Sequence, residues 1–167
     1  MSCYRNILVA HDGSADARAA LEHAIELARD QRARLKLLTV SPLASQPANA
    51  SIPAAPVHDL TDFFTDALRS AAESVPFDIG LTTQLLRGTP AETILRVLRE
   101  GEHDLLVMGS HGHSRLHRAL LGSVSYRLLH DSPVPVLLIR HRSAGPAEVV
   151  TADPDELSVA ISPQEGR

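Results

Sequence analysis

Gly109-Ser110-His111-Gly112, followed after nine further residues by Gly122-Ser123-Val124-Ser125, has the residue types and spacing to hold a polyphosphate. Glycine lets backbone N–H groups approach an anion with no Cβ in the way. Gly122 opens a segment that begins with small hydroxyls and then turns apolar at helical spacing. A helix start there would aim unpaired N–H groups and the positive end of a helix dipole at an anion. Asp12, at the end of a short aliphatic run, can accept hydrogen bonds from a sugar hydroxyl or from a base. Together the two sets describe a nucleotide. Each set alone has a plainer reading, with Asp12 as a turn or capping residue and the glycine pair as a strand-to-helix turn.

Other chemistries fit less well. No glycine-rich loop ends in Lys followed by Ser or Thr, and a single glycine follows the first aliphatic run, so neither a P-loop nor a dinucleotide fingerprint is present. His111, His113 and His117 cluster without a cysteine or carboxylate partner, which favours loop histidines beside phosphate over a metal site. His11, Asp12 and Ser14 are the types of a hydrolytic triad, but adjacent strand residues point to opposite faces.

Alternating strand and helix patterns position these residues. Residues 6–10 form an aliphatic strand stopped by His11-Asp12-Gly13-Ser14, and residues 15–32 carry a helical apolar stripe. Residues 34–40 predict a second strand. Residues 41–57, with four prolines and no period, predict a mobile loop. A helix over 59–74 and a strand over 79–86 follow. The next helix starts at Thr89-Pro90, with Glu92 placed to complete a capping box. Strand 104–108, the glycine loop, helix 123–130 and strand 134–139 complete the pattern. The third strand ends in Leu86-Arg87, which gives a receiver-type phospho-acceptor no carboxylate.

Parallel strands joined by crossover helices predict one α/β domain over residues 1–140. Its expected core is a doubly wound, five-stranded parallel sheet in the order 3-2-1-4-5 with helices on both faces. The switch point falls between strands 1 and 4, so Asp12 and Gly109 should face one another. Residues 141–167 are polar and acidic and predict a largely unpacked tail.

At 167 residues with 44% hydrophobic content, the chain supports one core. A net charge of -4 and 3% aromatic residues give no basic field and no stacking platform for nucleic acid. The sole cysteine is Cys3, and no apolar run has the length of a signal peptide or membrane span, so a cytoplasmic location is expected. The last strand, apolar on both faces at a sheet edge, predicts a homodimer through Val134, Val136 and Leu138.

Gly109, Gly112, Gly122 and Ser123 resemble the signature of the ATP-binding universal stress proteins: Gly, two residues, Gly, nine residues, Gly, then Ser or Thr. Asp12 and the strand around residues 133–139 are also similar to that family, and the resemblance spans residues 4–140. It implies a Rossmann-like fold of the adenine nucleotide alpha hydrolase type that binds ATP with Mg²⁺ or Mn²⁺. Ala10, Asp12, Val40 and Met108 would meet the base and sugar. Gly109, Gly112, Gly122, Ser123, Val124 and Ser125 would hold the phosphates. The family's basic residue after the second glycine is displaced here, where His113-Ser114-Arg115 stands, so His113 and Arg115 are the candidate phosphate cations. The cation would be held through the phosphates, with Ser123 a candidate ligand and no further protein ligand expected. The expected role is a regulatory ATP ligand in stress response or signalling, with an unknown signalling partner. A nucleotide-independent interaction protein of the same fold, or a slow ATP hydrolase or autophosphorylating protein, is the alternative.

Overall fold

The computed structural model describes residues 4–43, 57–112, 121–141 and 148–151. Strands β1 (Asn6–Ala10), β2 (Arg34–Ser41), β3 (Leu81–Arg87), β4 (Leu105–Gly109) and β5 (Val136–Arg140) alternate with helices α1 (Ala15–Gln31), α2 (Val57–Glu73), α3 (Pro90–Glu100) and α4 (Ser123–Asp131). The five strands pair in parallel in the order β3-β2-β1-β4-β5, as the crossover pattern predicts.

Alternate residues of each strand feed opposite faces of the sheet. On one side Ile7, Val9, Leu37 and Val107 pack with Ala20, Leu21 and Ala24 of α1. On the other, Leu8, Leu38, Val40 and Leu106 pack with Ile94, Leu95 and Leu98 of α3 and Leu128 of α4. Both faces are therefore apolar, which is why the strands read as continuous aliphatic runs rather than alternating ones.

Two helix starts show different solutions to the same problem. At α1, Ser14 Oγ accepts from Ala17 N at 3.1 Å, an ordinary cap. At α3 the expected capping box does not form. Thr89 occupies the cap position with no side-chain cap bond, and Pro90 begins the helix. The Glu92 carboxylate turns instead to Arg127 of α4, Nη1 to Oε1 at 3.2 Å.

The C-terminal part departs from expectation. Glu148–Thr151 forms β6, antiparallel to β5 with Leu138 opposite Val150, so this part of the predicted unpacked tail belongs to the sheet. The rest of the tail beyond His141, and nearly all of the predicted loop at 41–57, lie outside the described residues. An unpaired edge offers a row of backbone donors and acceptors, and β6 satisfies that row on β5. The strand also starts later than predicted. Ser132 Oγ accepts from Val134 N at 3.2 Å and donates to Val134 O at 2.7 Å, which holds Val134 in a turn ahead of Pro135.

Two of the three residues expected at a dimer interface lie within the core of this chain. Val136 is 7% exposed and Leu138 0%, both within the core against α3 and α4, while Val134 is only half-buried beside it. Val136→Asp should therefore act on the fold, lowering stability by on the order of 3–5 kcal/mol through an uncompensated buried charge. Urea denaturation would show a clear fall in midpoint, and an unchanged midpoint would contradict this placement of Val136.

Candidate functional site

Three carboxyl strand ends, from β1, β2 and β4, open into one cavity of about 350 Å³ at the switch point. This is where a doubly wound sheet leaves a crevice between helices that run to opposite faces. Ala10, Val40 and Met108 are among its apolar lining. Leu38, Phe64 and Ile94 also line it, three residues that the sequence does not single out. Leu38 was accessible to sequence reasoning, since it lies two positions before Val40 and shares its face. Phe64 and Ile94 arrive from α2 and α3, and no local pattern announces such an arrival.

Asp12 faces the cavity and also serves as a turn residue. Its Oδ1 accepts from Ser14 N at 2.9 Å, which shapes the entry to α1. Its Oδ2 lies over Gly112, where a Cβ would stand only 2.7 Å from that oxygen. The second glycine of the signature thus makes room for the carboxylate. The two sequence sets, Asp12 and the glycine loop, meet directly.

The first glycine does a different job. A Cβ on Gly109 would stand 2.8 Å from Ala17 N and from Asp16 Cβ, so this glycine lets the first turn of α1 press against the end of β4. The third has more room, since a Cβ on Gly122 would meet Ser110 O at 3.4 Å, an ordinary contact. Gly122 is the N-cap of α4 with extended backbone and no side chain to satisfy the turn that follows. Its own N–H is used, donating to Ser110 O at 3.0 Å.

The first rung of α4 runs from Tyr126 N to Gly122 O at 2.9 Å. The N–H groups of Ser123, Val124 and Ser125 precede that ladder, and all three residues line the cavity. They present an array of backbone donors at the positive end of a nine-residue helix. The two hydroxyls differ. Ser123 is exposed, whereas Ser125 is 3% exposed and its Oγ contacts Ser110 O at 3.0 Å and Gly109 O at 3.2 Å as donor. A hydroxyl has one hydrogen. The Ser125 proton therefore serves the protein, and Ser123 is the hydroxyl that can face an anion.

His111, Ser14 and His11 also line the cavity, as do Pro42 and Pro90. His11 is buried, and its Nδ1 accepts from Gly13 N at 3.2 Å. His111 sits against Asp16 and Ser110, with Nδ1 at 2.9 Å from Ser110 Oγ and 3.5 Å from Asp16 Oδ2. The candidate phosphate cations His113 and Arg115 lie outside the described residues. Among the described residues, no group of three or more His, Cys, Asp or Glu is arranged to hold a metal ion. Apolar side chains, one carboxylate and an array of backbone donors around one cavity can bind a molecule with an apolar ring, hydroxyls and an anionic group.

Comparison with known proteins agrees with this architecture. The sequence profile of the Universal stress protein family matches residues 3–140. The chain is 30% identical over 147 residues to universal stress protein YxiE of Bacillus subtilis, covering 82% of this chain and 99% of that one. The solved structure of universal stress protein UspA from Lactobacillus plantarum superposes with a TM-score of 0.66 at 29% identity, covering 84% of this chain and 100% of that one. A family member from Arabidopsis thaliana, solved with AMP bound, shares the fold at 21% identity and a TM-score of 0.59, covering 91% of this chain and 99% of that one. This chain belongs to the universal stress protein family.

Proposed function

We propose that this protein binds ATP, with Mg²⁺ or Mn²⁺, as a regulatory ligand in stress response or signalling in the cytoplasm. One observation carries the reading: the uncapped first turn of α4 opens onto a cavity lined by apolar side chains and by Asp12. Adenine would lie against Val40, Met108 and Leu38, with Ala10 beneath it. Asp12 would accept from the ribose, and the phosphates would lie along Gly112 and the N–H groups of Ser123, Val124 and Ser125, with Gly109 shaping the loop behind them. The metal ion would neutralise phosphate charge, held by the phosphates and the Ser123 hydroxyl. His113 and Arg115 would add the side-chain cations. The AMP bound to the Arabidopsis relative is consistent with an adenine ligand in this fold.

The ligand is held rather than turned over in this reading. Phosphoryl transfer needs a positioned nucleophile as well as charge neutralisation. Should autophosphorylation occur, Ser123 is the acceptor of the pair, because the Ser125 proton is already donated within the fold.

The homodimer enters in modified form. Because β6 covers the outer edge of β5, two copies pair along β5 only when β6 leaves it. Removing residues 142–167 should raise the weight-average mass in light scattering at micromolar concentration, and an unchanged mass would refute association through that edge.

Mass spectrometry of the protein as purified, with calorimetric titration of ATP in the presence of Mg²⁺, tests the ligand. Adenine nucleotide release or saturable binding is expected, and neither result would leave a nucleotide-independent interaction protein. Gly122→Val should keep the fold, since the Cβ has an ordinary contact, while its methyl groups enter the phosphate path. ATP affinity should fall at least about tenfold. Parent-like affinity in the folded variant would show that the phosphates lie elsewhere. Steady turnover above about one per minute would instead identify an enzyme.

A further inference from the structure

Asp16 and Ser110, which lie behind the cavity and outside its lining, centre a partly buried polar relay that joins the two helices flanking the switch point. Asp16, in the first turn of α1, accepts from Ser110 Oγ at 2.9 Å and from His111 N at 3.1 Å on one carboxylate oxygen. Its other oxygen accepts from His141 N at 3.0 Å, at the exit of β5. Ser110 is 1% exposed and continues the relay. Its carbonyl accepts from Gly122 N at 3.0 Å and from Ser125 Oγ at 3.0 Å, the two groups that fix the start of α4. Gly109 permits this arrangement, because any larger residue would push α1 off the end of β4.

The proton count gives the relay a direction. The Ser110 hydroxyl has one hydrogen, and Asp16 is an acceptor only, so that hydrogen goes to Asp16. The His111 ring then donates from Nδ1 to Ser110 Oγ at 2.9 Å. One carboxylate thus sets the hydroxyl rotamer of Ser110, the backbone of His111 and the imidazole tautomer, while the Ser110 carbonyl sets the cap of α4. Charge-assisted bonds are the strong class of hydrogen bond.

We propose that Asp16 and Ser110 form a positioning pair that sets the donor array at the start of α4 for the anionic end of the ligand without touching the ligand. This rests on the nucleotide reading of the cavity above. The consequence is selective. The apolar lining, made by Ala10, Leu38, Val40, Phe64, Ile94 and Met108, takes no part in these hydrogen bonds, so loss of the pair should weaken a phosphorylated ligand and spare an unphosphorylated one.

Calorimetric titrations of ATP with Mg²⁺ and of adenosine against the full chain and its variants test this. Asp16→Ala should lower ATP affinity about tenfold and change adenosine affinity less than about twofold. Asp16→Asn retains one carbonyl oxygen for Ser110 and His111 and should stay within about threefold of the parent for ATP. Ser110→Ala cuts only the link between the pair and should cost about fivefold for ATP, again sparing adenosine. It carries the comparison if Asp16→Ala does not fold. Equal losses for both ligands would assign Asp16 and Ser110 a general structural role and overturn the proposal, as would unchanged ATP affinity in the folded variants. A parent that binds neither ligand overturns the nucleotide reading itself, whereas a binding parent with indifferent variants overturns only the positioning pair.

Discussion

The approach of α1 to the end of β4 is the constraint on which the site depends. At Gly109 the two backbones come so close that a Cβ would lie 2.8 Å from Ala17 N. Only at that distance does Asp16 reach Ser110 and His111, and only then does the Ser110 carbonyl stand where it receives Gly122 and Ser125. The loop of residues 109–112 is consequently fixed from behind, and Asp12 can settle over Gly112 from the front. A longer side chain at residue 109 would disturb the crevice wall as well as one packing contact.

This geometry separates roles that a shared signature blurs. Gly109 admits a helix, Gly112 admits a carboxylate, and Gly122 leaves a helix start uncapped. The serines divide likewise: Ser125 anchors α4 through its hydroxyl, while Ser123 keeps an exposed one at the cavity. A hydroxyl at position 125 is therefore explained by folding, and the anion is left to backbone donors and Ser123.

Strand order, helix positions and the meeting of Asp12 with the glycine loop were legible in the sequence because each rests on a local period or on a turn residue at a fixed offset. The apolar runs of β1, β2 and β4 announced a sheet buried on both faces, and that in turn announced the switch point. What was not legible depends on partners distant in the chain. The Asp16 carboxylate reads as an ordinary first-turn acid until Ser110, 94 residues away, is placed beside it. Phe64 and Ile94 reach the cavity only through helix packing. Glu92 has the spacing of a capping box, but Arg127 on a neighbouring helix wins its carboxylate. The pairing of β6 escaped for a similar reason, since a four-residue strand in a polar segment has no periodic signal of its own.

The central claim is that backbone donors at the start of α4 receive the anionic end of an adenine nucleotide. Backbone amide NMR during titration with ATP and Mg²⁺ observes those donors directly. The account predicts that the amide resonances of Ser123, Val124 and Ser125 shift strongly with ATP and far less with adenosine, while those of Val40 and Met108 respond to both. ATP binding that leaves the three α4 amides unmoved would contradict it.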